Sequence, residues 1–186
     1  DTDKFSPEIK KESNGITIGW IGSYSTACYL DSLIEVLRKL SANYKFNLKI
    51  IGAGSYKINI PGVKVINEPW DLKSEIQEFR SLDIGVYPLP DNEWTRGKTG
   101  FKTIQYMSVG VPCVVSNAGA NMDIVQDGVN GYLAKTEDEW INKISMLIED
   151  FELRKRIGEA GRKTVEERFS VKVNAPKYMK IINFSA

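Results

Sequence analysis

The chain has 186 residues, of which 42% are hydrophobic, so its length suits one domain with a full core. Its 25 basic residues face 24 acidic ones and it has no histidine, which excludes a general basic field for nucleic acid and any His-based acid, base or zinc site within the chain. Cys28 and Cys113 read as buried or incidental thiols of a reducing compartment, and no apolar run approaches transmembrane length.

Asp1 to Pro7 is polar, and the charges that follow to Glu12 predict a linker. Ile16 to Ile21 is an apolar run that ends in Gly22-Ser-Tyr-Ser-Thr26, after which Leu30, Leu33, Ile34, Leu37 and Leu40 recur at helical spacing. In doubly wound sheets the loop after the first strand lies where the strand order reverses and ligands bind. Gly22 permits a tight turn there, and Ser23, Ser25 and Thr26 offer hydroxyls that serve equally as helix caps. Asn47 to Ile51 is a second strand; the Gly52-Ala-Gly54 after it reads as a turn, because a dinucleotide fingerprint would need a glycine where Lys57 stands and a helix before Pro61.

Val63 to Ile66 is a third strand, and Asn67-Glu-Pro-Trp70 leads into a helix with Leu72, Ile76 and Phe79 on one face. Trp70 is either a core residue or a surface beside a nucleobase. Asp83 to Tyr87 is the fourth strand, and Pro88 to Trp94 a rigid exit towards the stretch Arg96 to Ser116. In that stretch Gly97 and Gly100 allow close backbone approach, and a helix start leaves N–H groups free for an anion. Arg96, Lys98 and Lys102 surround this entrance, with Lys98 and Lys102 on one face if the helix begins early enough. The stretch is either a phosphate cradle or a solvated basic loop.

Val111 to Val115 and Gly131 to Ala134 are the fifth and sixth strands, with a helical turn at Met122 to Val125 between them. Three amphipathic helices follow, marked by Trp140, Ile144 and Leu147, by Leu153 and Ile157, and by Val171, Ala175, Tyr178, Met179 and Ile182. The alternation predicts an α/β, Rossmann-like doubly wound parallel sheet of about six strands with helices on both faces. An order of 3-2-1-4-5-6 would set Gly22 and the Gly97 to Lys102 loop across one crevice.

The run from Gly97 to Ser116 resembles the donor-binding segment of the retaining, GT-B fold glycosyltransferases called group 1, or family 4. Asp1 to Pro7 is similar to that family's interdomain hinge, and Asn117 to Leu133 to its Gly-rich run. The resemblance implies a hinge remnant at 1–14 and a nucleotide-sugar-binding domain at 15–186, the C-terminal half of a longer cytoplasmic enzyme. An absent N-terminal domain would hold the acceptor and carry any membrane association, with the last helix crossing back towards it. The implied ligand is a nucleoside-diphosphate sugar, with no metal and no further cofactor. The Asp-x-Asp of Asp1 and Asp3 is a metal and diphosphate motif only in a different glycosyltransferase fold.

Residue by residue, the resemblance assigns Gly22, Ser23 and Tyr24 to the first loop of the donor site and Trp70 to the base. The amides of Gly100, Phe101 and Lys102 match positions that approach the sugar and diphosphate, and Thr103 lies in the same helix. The family's first-loop Arg and Lys are missing, so Lys98 and Lys102 are the expected catalytic cations, with Arg96 beside them. Gln105 stands where the family has the Glu that grips the ribose. Gly97 stands where it has the Glu that contacts the donor sugar, with Glu93 as a candidate replacement. A sugar-nucleotide epimerase of the same architecture and a non-catalytic nucleotide-sugar-binding subunit are the alternatives.

Overall fold

A computed structural model describes residues 1–8 and 15–184. Six strands, β1 Ile16–Ile21, β2 Phe46–Ile51, β3 Lys64–Glu68, β4 Ile84–Tyr87, β5 Cys113–Ser116 and β6 Tyr132–Ala134, form one sheet in the order β3-β2-β1-β4-β5-β6. Every neighbouring pair is parallel, so the sheet is the expected Rossmann-like one and its order reverses between β1 and β4.

The helix expected after Gly22 is divided. It runs as α1 Tyr24–Ala27, a 3-10 segment Cys28–Leu33 and α2 Ile34–Ser41. Side chains three apart align in a 3-10 helix, so Leu30 and Leu33 both turn inward before α2 resumes with Leu37 and Leu40. Helix α3 is Glu75–Arg80, shorter than expected, and Leu72 stays exposed outside it. The exit after β4 holds a further turn, α4 Glu93–Arg96, capped by the Asn92 side chain accepting from the Thr95 N–H at 2.9 Å. Next come α5 Phe101–Ser108, α6 Asn121–Ile124, α7 Glu137–Glu149 and α8 Phe151–Thr164, which passes through a π turn at Val165–Phe169 into α9 Val171–Phe184.

Alternation along the strands divides the core between the two faces. Ile18, Trp20, Leu48 and Ile50 pack with Leu37, Ile144, Leu147 and Ile157, whereas Ile21 and Ile51 pack with Phe79, Leu82, Tyr106 and Val165. Both thiols are free: Cys28 is exposed, while Cys113 is buried and its pKa is pushed up to about 12 by desolvation.

The join between β1 and β4 uses two glycines side by side. Gly19 faces Gly85 across the ladder. A Cβ on Gly19 would lie 2.1 Å from Leu82, and one on Gly85 2.6 Å from the Tyr106 ring, so both must be bare for Leu82 and α5 to reach the sheet. The fully buried Tyr106 hydroxyl accepts from the Ile21 N–H at 3.1 Å and shares its own proton between the Gly19 carbonyl at 3.4 Å and the Val86 carbonyl at 3.3 Å. It thus bridges the two strands beyond their last ladder pair.

Residues 1–8, read from the sequence as part of a linker, are docked against the domain. Arg162 donates to the carbonyls of Phe5, Ser108 at 2.6 Å and Thr2 at 2.8 Å, and Arg80 donates to the Ser6 carbonyl at 2.7 Å. The fork of a guanidinium satisfies several backbone acceptors at once, which is how a polar segment is held without a strand. The remainder of the proposed hinge, 9–14, lies outside the described residues.

Tyr106→Phe removes the acceptor of a buried N–H while keeping the ring. It should lower the unfolding free energy by about 1–3 kcal/mol, read from urea denaturation with an unchanged slope. Gly85→Ala should cost at least as much, because the ring cannot move off the sheet face.

Candidate functional site

Where β1 and β4 part, the loops at the strand C-terminal ends enclose a crevice of about 470 Å³. Its first wall is Ile21 to Tyr24 with Thr26, the turn after β1. The Gly22 N–H donates to the Ile51 carbonyl at 3.0 Å, and the Thr26 hydroxyl donates to the Ser23 carbonyl at 3.1 Å, so part of the hydroxyl chemistry of this loop closes its own turn. Gly52, at φ +80°, approaches so closely that an added Cβ would stand 2.3 Å from the Gly22 carbonyl oxygen. The Gly-x-Gly after β2 therefore acts as a packing turn beside the crevice.

The second wall is Trp70, 47% exposed, whose indole N–H donates to a Glu75 carboxylate oxygen at 3.3 Å. Tyr87, at the end of β4, also lines the crevice, and burial pushes its phenol pKa up.

Lys98 and Lys102 supply the charge. The Lys98 ammonium lies 5.7 Å from the Tyr29 ring centre and that of Lys102 6.0 Å from the Phe79 ring centre. Among the described residues, neither has a carboxylate within 4.0 Å in the way that Arg96 has Asp91 at 2.8 Å. Burial lowers the pKa of Lys102, and the charge of Glu75 opposes that shift.

The remaining expected residues are arranged differently. Arg96 lies on α4, engages Asp91 and does not line the crevice, because α4 turns its last residue outward. Lys98 and Lys102 do not share a helical face: α5 begins at Phe101, and Lys98 sits in the loop before it. Gly100 opens α5 at φ +66° and is packed against Ile124. Phe101 is exposed outside the crevice lining. Thr103 is buried, its hydroxyl donating to Asn121 at 2.7 Å, so its side chain ties α5 to α6. Gln105 is 4% exposed, lies behind the lining residues and donates to Glu75 at 3.2 Å. Glu93 is exposed on α4 and does not line the crevice either.

Glu75 and Tyr87 escaped the sequence reading. An acid in the first turn of a helix reads as a helix-dipole partner, and a tyrosine ending an apolar strand reads as core. A further cavity of about 360 Å³ lies between α8 and Pro7, at the far end of the sheet, with acidic and basic side chains mixed in its lining.

The family model for glycosyl transferases group 1 matches residues 1–164. The chain belongs to this family. It is 24% identical to the capsular polysaccharide biosynthesis glycosyltransferase CapM of Staphylococcus aureus, over 93% of this chain and 47% of that protein. It is also 27% identical to the sulfoquinovosyl transferase SQD2 of Arabidopsis thaliana, over 90% of this chain and 35% of that one. The chain thus spans about half or less of these relatives. In fold it is similar to the C-terminal domain of the group 1 glycosyl transferase LpcC of Francisella tularensis (TM-score 0.70, 21% identity, 92% of this chain and 98% of that one). It is likewise similar to Anabaena HepE in complex with UDP-glucose (TM-score 0.71, 20% identity, 91% and 49%). The architecture is that of the C-terminal domain of a GT-B glycosyltransferase.

Because the charged form of Lys102 is disfavoured by burial, Lys102→Met should leave the ligand-free domain as stable as the parent or up to about 1 kcal/mol more stable at neutral pH. The folded pKa lies below the ordinary 10.5, so the unfolded chain holds more protons between the two values and parent stability rises with pH across that window. The gap between variant and parent should therefore narrow as pH climbs towards 10.5, as followed by urea denaturation.

Proposed function

We propose that this domain is the donor half of a retaining glycosyltransferase. It holds the nucleoside diphosphate of a nucleotide sugar in the β1–β4 crevice, and a second domain holds the acceptor. The observation that carries the reading is the pair Lys98 and Lys102, two cations set at a crevice between first-loop backbone and an exposed indole, with no carboxylate within 4.0 Å among the described residues. HepE of the same fold has been crystallised with UDP and with UDP-glucose, which supports a nucleotide sugar as ligand. On α9, Tyr178, Met179, Ile181 and Ile182 are exposed, an apolar face that a second domain would cover.

In the proposed reaction the bond between the anomeric carbon and the diphosphate oxygen breaks and its electron pair leaves with the diphosphate; the acceptor hydroxyl oxygen bonds to the anomeric carbon from the same face, and its proton passes to the departing diphosphate. Lys98 and Lys102 stabilise the charge that gathers on the departing diphosphate, helped by the free amides opening α5. Such preorganised cations and dipoles do the work a metal does elsewhere, so no metal is expected. Gly97 and the outward-facing Glu93 supply no carboxylate to the donor sugar, which favours a non-catalytic nucleotide-sugar-binding subunit as the second reading.

Thermal melts with nucleoside diphosphates and their sugars test the reading. A ligand at a hundred times its dissociation constant should stabilise the domain by about 2.7 kcal/mol. Lys102→Ala should weaken binding by about ten- to a hundredfold, the worth of one charge-assisted hydrogen bond. No shift at millimolar nucleotide, or a Lys98→Ala/Lys102→Ala variant that binds as well as the parent, would reduce the crevice to a solvated loop. Incubated with donor and any acceptor, the 186-residue chain alone should form no glycoside detectable by chromatography.

A further inference from the structure

We infer that Glu75 is the acceptor for the ribose hydroxyls of the bound nucleotide, and that Gln105 is a positioning residue that aims its carboxylate. This rests on the nucleotide reading of the crevice. Among the described residues, Glu75 is the one carboxylate in the crevice lining, which it shares with Trp70, Lys98 and Lys102. A nucleoside diphosphate presents three chemistries to those walls. Its diphosphate is repelled by Glu75 and drawn to the lysines, and its base has a flat face suited to the indole. What remains is the ribose diol, two O–H donors for which an acceptor-only carboxylate is the matching group.

The carboxylate is held ready for this. Both of its hydrogen bonds, from the Trp70 indole at 3.3 Å and from the Gln105 amide at 3.2 Å, end on Oε1, and among the described residues Oε2 takes none. The amide at position 105 follows from the same geometry. A glutamate there would set a second negative charge about 3.2 Å from the first, whereas an amide can donate. Turning its nitrogen to Glu75 leaves the Gln105 Oε1 buried without a partner, so the orientation of Gln105 serves Glu75 and not its own full satisfaction.

The test is calorimetric binding of the tightest of UDP, GDP and ADP against its 2′,3′-dideoxy analogue. The parent should prefer the ribose form by about ten- to a hundredfold. Glu75→Gln should lower that preference below about threefold, by weakening the ribose form alone. Gln105→Ala should lower the same ratio, which a merely structural loss, felt by both ligands equally, would not do. Lys102→Ala should weaken both ligands and leave the ratio intact. Should Glu75→Gln fail to fold, Glu75→Asp, with its oxygens withdrawn by one methylene, must show the same collapse. A preference that survives these variants, or a parent without one, overturns the assignment of Glu75 while the nucleotide reading stands. If the parent binds none of the three diphosphates, both fall together.

Discussion

The Tyr106 hydroxyl sits at the point on which the rest of the molecule depends. Parallel strands at a switch in order must separate to leave room for a ligand, and separation strands backbone groups that a continued ladder would satisfy. Here β1 and β4 pair through Ile18 and Gly19 with Ile84 and Gly85, and the phenol takes over beyond them, bonding Ile21 and facing Gly19 and Val86. Burial drives its pKa far up, so it remains a neutral donor and acceptor at any physiological pH. The crevice can open directly above it because the polar groups below are satisfied.

That anchor also sets the chemistry of the crevice. Tyr106 belongs to α5, and Lys102 lies one helical turn before it on the same helix, so fixing the phenol fixes the height at which the ammonium meets the crevice. Gln105, the residue just before the anchor, reaches Glu75 on α3, and Phe79 of α3 packs edge-on to the Tyr106 ring at 5.2 Å. Positive and negative groups thus come from two helices locked to one ring. The stability of the sheet join and the separation of Lys102 from Glu75 are consequences of the same packing.

The two crevice lysines are held differently from several cations outside the crevice. Arg96, Lys39, Lys143 and Lys172 each meet a carboxylate, whereas Lys98 and Lys102 lie over aromatic faces instead. An aromatic face attracts a cation without neutralising it, so the positive potential remains available. The docked N-terminal segment is the contrasting case, in which Arg162 and Arg80 are taken up by backbone carbonyls and by Glu166 and Glu8 and contribute to structure.

The amino-acid sequence by itself determined a doubly wound parallel sheet of about six strands and, once the order β3-β2-β1-β4-β5-β6 is known, the place of the crevice. Apolar runs of strand length alternating with helical periodicity admit few parallel topologies, and Gly22 and Lys102 fall at the ends of elements that such a topology brings together. Local pattern could not decide which polar side chains turn into the crevice. Arg96 carries the same charge as Lys98 two residues later, yet α4 turns it out to Asp91, and Gln105 sits in the expected helix but behind the surface it was expected to line. Glu75 reaches the crevice because α3 packs against α5 through Phe79 and Tyr106, a contact between residues far apart in the chain. Periodicity reports which face of an element is buried, but the direction of one polar side chain at an element's end depends on partners that only the tertiary fold supplies.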